Sequence, residues 1–226
     1  MSDRPVALIT GASRGIGLAV ARRLADTHDL LVGGRSAAAL AEAAALPGAR
    51  AWPVELTDGR ALAAAAGALT RLDVLVHSAG IAELGPLAEV DADAWRRVLE
   101  VNVVAVAELT RLVLPLLRAA AGHVVLINSG AGLRVNPGWG AYAASKFALR
   151  AYGDALRAEE PDLRVTSVHP GRVDTDMQRG VRAHEDGDYQ PDRYLTADSV
   201  AKAVLAAVLA DEAAHVTDVV LRPRPR

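Results

Sequence analysis

Cysteine is missing from all 226 residues, which excludes disulfides, thiolate catalysis and zinc–cysteine centres; a redox role would need a borrowed cofactor. Lysine is nearly as scarce, with Lys146 and Lys202 the only two among 25 basic residues. No sign of charge is in excess. A formal net charge of -2 carries no polyanion-binding signature, so nucleic acid is not an expected partner. Long apolar runs are lacking too: the most apolar long stretch, Val101 to Leu117, is broken by Asn102, Glu108, Thr110 and Arg111, which makes it a poor membrane span. Met1 to Thr10 has no basic n-region and no long h-region. These absences lead us to expect a cytoplasmic protein with no membrane partner and no metal site. No Pro/Gly/Ser-rich linker or charge block divides the chain, so a single domain over residues 1–226 is expected.

A chain that uses arginine almost everywhere keeps a lysine at position 146, in Ala141-Tyr142-Ala143-Ala144-Ser145-Lys146. On a helix, residues at i and i+4 share one face. A nearby cation favours an ionised phenol, so Lys146 is expected to lower the pKa of Tyr142 and make it a proton carrier near neutrality. A compact ammonium is a different tool here from a planar guanidinium. Taken alone, such a pair also fits an exposed couple snorkelling over a surface.

The rest of the chain supplies context. Val6-Ala7-Leu8-Ile9 is a continuous apolar run, as in a strand buried on both faces of a parallel sheet. It leads into Thr10-Gly11-Ala12-Ser13-Arg14-Gly15-Ile16-Gly17, where glycines permit a sharp turn into a helix marked by Ile16, Val20 and Leu24. Free N–H groups at that helix start attract phosphate. The spacing is G-x-x-x-G-x-G, and a plain strand-to-helix turn is the alternative.

This strand, glycine turn and helix, with the later Tyr-x-x-x-Lys, resemble the short-chain dehydrogenase/reductase family, nearly end to end. The resemblance implies a nicotinamide dinucleotide held by Gly11, Ser13, Arg14, Gly15, Ile16 and Gly17. Leu30–Val32 reads as the second strand, ending in Gly33-Gly34-Arg35-Ser36, with no acidic residue where a Rossmann fold places one on the ribose. Arg35 with Arg14 points to a 2'-phosphate pocket, hence NADP(H) over NAD(H), unless either arginine is merely solvated. Residues 51–54 form the expected third strand. Glu55 then stands where family members usually have an aspartate on the adenine, with Leu56 beside it, and Asp58 suits the cap of a helix over 61–69. The fourth strand, 74–76, ends in His77-Ser78-Ala79-Gly80, similar to the family's N-N-A-G. Ser78, Ala79 and Gly80 are expected beside the adenosine, and His77 is read as hydrogen-bonded structure.

Trp95, Leu99, Val103 and Val106 mark one face of a long helix. Asn102 among them satisfies backbone at a bend, and by resemblance also holds a water in a proton relay behind Lys146. The fifth strand, 124–127, delivers Asn128-Ser129-Gly130 at the sheet's carboxyl edge, where open α/β sheets bind ligands. By resemblance Ser129 shares the substrate oxygen with Tyr142. The helix 140–159 carries Tyr142 and Lys146, and its alanines suit pairing of subunits in a homodimer or homotetramer. The sixth strand, 165–168, runs into Pro170-Gly171-Arg172-Val173-Asp174-Thr175, similar to the family's P-G-x-x-x-T turn that holds the nicotinamide carboxamide. Residues 176–195 lack helical or strand periodicity and read as part of a substrate lid over 176–196, or as an unstructured surface segment. A helix through Val200, Val204 and Val208, a strand over 216–221 and a frayed basic tail, 222–226, complete the chain.

The expected fold is therefore α/β: a doubly wound, mainly parallel, seven-stranded Rossmann-like sheet. The expected activity is interconversion of a carbonyl and an alcohol by Ser129, Tyr142, Lys146 and Asn102. Leu84, Arg134, Trp139 and Arg172 are candidates to line the substrate pocket. A non-catalytic dinucleotide sensor and an epimerase or dehydratase using the same Tyr-Lys pair are the alternatives.

Overall fold

Strand neighbours that run parallel need long crossovers, and the alternation of apolar runs with helical segments supplies them. The computed structural model describes residues 4–185, 187–211 and 213–224. The expectations for Met1–Asp3, for Asp186 in the lid and for the last two tail residues lie outside these. The strands are β1 (Val6–Ile9), β2 (Asp29–Gly34), β3 (Ala49–Pro53), β4 (Val74–His77), β5 (His123–Ile127), β6 (Arg164–Pro170) and β7 (Asp218–Leu221). All pair in parallel, in the order β3-β2-β1-β4-β5-β6-β7. The order reverses between β1 and β4, which makes the sheet doubly wound.

The helices are α1 (Gly15–Leu24), α2 (Ala41–Ala44), α3 (Gly59–Gly67), α4 (Ala92–Leu99), α5 (Ala105–Ala119), α6 (Gly140–Glu159), α7 (Asp176–His184) and α8 (Ala197–Val208). Side chains along each strand point to opposite faces in turn. Ala7 and Ile9 thus join Val20, Leu24, Val200 and Val204 on one side, while Leu8 joins Leu62, Leu109, Val113 and Leu126 on the other. On α6, Ala143 and Gly153 are buried, whereas Ala144, Ala148, Ala151 and Ala155 lie on the opposite, more open side with Phe147. No helix among the described residues is long and apolar enough to cross a membrane.

Two expectations are corrected. The segment after Thr175 is not devoid of regular structure, since residues 176–184 form α7 and Pro191–Arg193 a turn of 3-10 helix. Only Met177 and Val181 are large and apolar there, so no periodicity announces the helix. Its ends explain it instead: Thr175 Oγ1 accepts the Gln178 N–H at 3.3 Å, Asp176 lies in the first turn, and Arg182 and His184 lie in the last. The long helix around Asn102 is likewise two helices, α4 and α5, joined by a π-helical turn at Glu100–Val104. Its buried line runs Ala94, Val98, Asn102, Val106 and Leu109, leaving Trp95, Leu99 and Val103 half-buried beside it. An amide on the core line had weakened the apolar signal of the true face. Smaller differences are the earlier start of β3, the later start of β7, and an unanticipated 3-10 turn, Ala38–Leu40, before α2.

Candidate active site

The carboxyl end of β5 and the first turns of α6 are fastened together by Asn128. Its Oδ1 accepts the Ser129 N–H at 2.8 Å and its Nδ2–H donates to the Lys146 carbonyl at 3.1 Å. The fit is tight: a Cβ on Gly132 would lie 2.5 Å from Asn128 Oδ1 and 2.8 Å from the Lys146 carbonyl oxygen. Ser129 Oγ accepts the Ala131 N–H at 3.1 Å, capping the 3-10 turn Gly130–Gly132. Tyr142 and Lys146 are both buried on α6, and the Lys146 ammonium donates to the Ile127 carbonyl at 3.0 Å.

Lys146 Nζ lies 5.8 Å from the centre of the Tyr142 ring. Burial lowers the Lys146 pKa to about 8. Burial also raises that of Tyr142, against a hydrogen-bonding contribution from Ser129 that lowers it. The expected lowering of the tyrosine by Lys146 is therefore not met, because loss of water around the phenol outweighs its neighbours. What stands here is a neutral phenol beside a hydroxyl and an ammonium, an arrangement able to deliver a proton to an oxygen.

Asn102 lies behind this cluster at the π turn, where such irregularities commonly mark functional positions. Its Oδ1 accepts the Ile81 N–H at 2.9 Å, and its Nδ2 donates to the Ile81 carbonyl at 2.9 Å and to Ser145 Oγ at 3.0 Å. Ser145 in turn donates to the Tyr142 carbonyl at 2.7 Å. Sequence reasoning missed Ser145 and Asn128 as site residues. Their signals were adjacency, Ser145 preceding Lys146 and Asn128 preceding Ser129. His77 makes a buried hydrogen bond to Thr110 Oγ1 at 2.9 Å and stays away from this chemistry.

The glycine turn packs against the end of β4. Thr10 Oγ1 accepts from Ser78 N at 3.1 Å and Ala79 N at 3.2 Å. Gly11 has φ +66°, and a Cβ there would fall 2.7 Å from Ala79 N; one on Gly17 would fall 2.3 Å from the Gly11 carbonyl oxygen. Only glycine permits these backbones to meet. Arg14, at the cap position of α1, makes no side-chain cap, and no acidic residue occupies the first turn, so the helix start favours an anion. A cleft of about 580 Å³ opens there, lined by Ser13, Arg14, Arg35, Ser36 and Ala39. Arg35 has no ion pair among the described residues, whereas Arg14 pairs with Asp176 at 3.2 Å. This uncapped glycine cradle with two arginines fits the phosphates of a dinucleotide.

Across the cleft, a Cβ on Gly15 would lie 3.4 Å from Thr175 Cγ2, so the glycine turn meets the loop after β6. The Thr175 hydroxyl donates to the Val173 carbonyl at 3.2 Å while it caps α7. Ile16 is half-buried beside this junction, and Pro170 and Gly171 lie at the end of β6. Glu55 Oε1 is engaged by the N–H and hydroxyl of Thr57 at 3.3 and 3.0 Å, with Leu56 half-buried next to it. A Cβ on Gly80 would lie 3.1 Å from Asn102 Oδ1, a tight approach that a side chain there would have to relieve.

A second cleft, of about 420 Å³, is lined by Gly80, Ile81, Ala82 and Leu84, by Met177, Gly180, Val181 and His184 of α7, and by Arg14. Leu84 and Trp139 pack on the Tyr142 cluster, and Trp139 meets the Tyr142 ring edge-on at 5.8 Å. Arg172 lies 5.9 Å from the Trp139 ring centre. Of the four residues expected to line the substrate pocket, Leu84 lines the second cleft; Arg134 is exposed, and it, Trp139 and Arg172 line neither of these two clefts.

Fold and site together define a nucleotide-binding α/β protein with Ser129, Tyr142 and Lys146 gathered at the sheet's carboxyl edge. Residues 5–186 match the family model described as short chain dehydrogenase. The chain is 34% identical over 183 residues to an uncharacterized oxidoreductase of Schizosaccharomyces pombe, covering 78% of this chain and 74% of that one. Among other relatives it spans as little as 19% of the partner's length. Of solved structures, an alcohol dehydrogenase from Thermococcus sibiricus complexed with 5-hydroxy-NADP is similar with a TM-score of 0.89 and 28% identity, over 99% of this chain and 100% of that one. A carveol dehydrogenase from Mycobacterium avium in complex with NAD gives 0.85 and 25%, over 96% and 95%. The chain belongs to the short-chain dehydrogenase/reductase family and is an oxidoreductase of that family.

Proposed function

We propose that this protein is an NADP(H)-dependent carbonyl reductase or alcohol dehydrogenase acting through Ser129, Tyr142 and Lys146. The observation that carries the reading is the convergence of these three at the end of β5, beside a glycine cradle whose backbone approaches leave no room for a Cβ. NADP(H) is favoured by Arg14 and Arg35 in one cleft and by the missing carboxylate at the end of β2.

Bound there, NADPH supplies a hydride. Tyr142, kept neutral by burial, gives its phenolic proton to the carbonyl oxygen as negative charge builds on it. Ser129 donates a hydrogen bond to the same oxygen and so holds it within reach of the phenol. Lys146 leaves one N–H on the Ile127 carbonyl and keeps two for the cofactor ribose and the nascent tyrosinate. Asn102 contributes by fixing Ile81 and Ser145, which keeps the first turn of the Tyr142 helix in place and supports proton resupply. Changing Tyr142 to Phe is expected to lower carbonyl turnover by about 1,000-fold with NADPH affinity nearly unchanged, as read by stopped-flow kinetics and fluorescence titration. A Phe variant with near-full activity would sink the assignment.

A further inference from the structure

The second cleft has features that select among carbonyl compounds, an argument that rests on the reductase reading. Met177, Gly180, Val181 and His184 fall at i, i+3, i+4 and i+7 on α7 and face the Gly80–Leu84 segment. Around Tyr142 the apolar lining is Ala82, Leu84, Ala131, Trp139 and Ala143, and the ammonium beside the ring is that of Lys146, which the reductase reading assigns to the cofactor ribose and the tyrosinate. Arg172 packs over Trp139, and its fork is already occupied. Arg172 Nη1 and Nη2 each donate to Glu185 at 2.8 Å, one to each carboxylate oxygen. Arg182 Nη1 adds a third bond to the same carboxylate at 2.6 Å, and its Nε donates to the Asp188 carbonyl at 3.3 Å. Arg14, which also lines the cleft, is paired with Asp176. A carboxylate entering beside Tyr142 would lose water, find no open fork to receive it, and approach the like charge of Glu185.

We propose that the substrate is an uncharged aryl ketone, and that Glu185 is a specificity-determining residue that excludes keto acids by occupying the Arg172 fork. Trp139 supplies the flat apolar surface for the aryl group, and Leu84 and the α7 stripe enclose it.

The test compares matched pairs that differ in one charge, methyl benzoylformate against benzoylformate and acetophenone against 4-acetylbenzoate, by steady-state NADPH oxidation at pH 7.5. The wild type is expected to favour the neutral member by about 100-fold in kcat/KM. Glu185→Gln should narrow that preference at least about tenfold, mainly through a lower KM for the anion. Adding Arg172→Gln should restore it. Equal use of both members by the wild type, or an unchanged ratio in Glu185→Gln, would overturn the proposal while leaving the reductase reading in place. If Glu185→Gln does not fold, the wild-type ratio decides. Turnover of aliphatic ketones or aldehydes but of none of the four compounds would overturn this proposal and keep the reductase reading, whereas NADPH binding with no turnover of any carbonyl compound would overturn both.

Discussion

Arg35 differs from most arginines of this chain in what surrounds it. Arg22, Arg23, Arg71, Arg97, Arg111 and Arg118 each close on a carboxylate, while Arg35 stands exposed at the end of β2 without an ion pair among the described residues. A guanidinium left open at a cleft is available for a phosphate, and its bonds to one would be charge-assisted. Arg35→Asp is expected to weaken NADPH binding by about 30-fold or more, the equivalent of about 2 kcal/mol, and to leave NADH binding within about twofold. Isothermal titration with both cofactors separates the outcomes; equal loss for both would assign Arg35 a structural role instead. Arg14 is the less clean probe, since its pairing with Asp176 couples the glycine turn to α7.

At the scale of elements, the π turn between α4 and α5 matters because it puts an amide on a core line. Asn102→Leu preserves volume and removes three hydrogen bonds, leaving the N–H and carbonyl of Ile81 without their side-chain partners. The expected cost is about 3 kcal/mol of stability, read as a shift in urea midpoint, together with a fall in kcat. How far such elements could be read in advance depended on where their information lies. Strand β1 and the turn after it were legible because an unbroken apolar run and three glycines are local signals. Helix α7 was not, since its support comes from caps and ion pairs and not from an apolar stripe. The site divides in the same way. Tyr142 and Lys146 announced themselves by spacing, but the influence of burial on their protonation depends on what the sheet and neighbouring helices cover. Glu185 was invisible, being one acid in a polar stretch until Arg172, thirteen residues earlier, closes on it.

Across the whole molecule, two histidines in the sheet make stability sensitive to acid. Burial depresses both His77 and His123 to about 3 from an ordinary 6.5. Between those values the unfolded chain binds protons that the folded chain refuses, so stability must fall as pH drops below about 6.5. Each histidine contributes a slope of at most about 1.4 kcal/mol per pH unit. Denaturant midpoints at pH 7 and pH 5 should show the decline, and His77→Asn should remove about half of it; an unchanged slope would mean that His77 gains a proton without unfolding.

The sheet order has a consequence for how the chain comes into being. Strand β1, an interior strand of the sheet, is made first, yet one of its two partners is β4, whose pairing matches Ala7 to Val74. No hairpin can cover that edge in the meantime, because every pairing in the sheet is parallel. During synthesis the apolar edge of β1 must therefore wait for about seventy residues to be added, and folding is paced by a distant contact. The same topology that brings the glycine turn beside Ala79 leaves one edge of the first strand unpaired until β4 has been made.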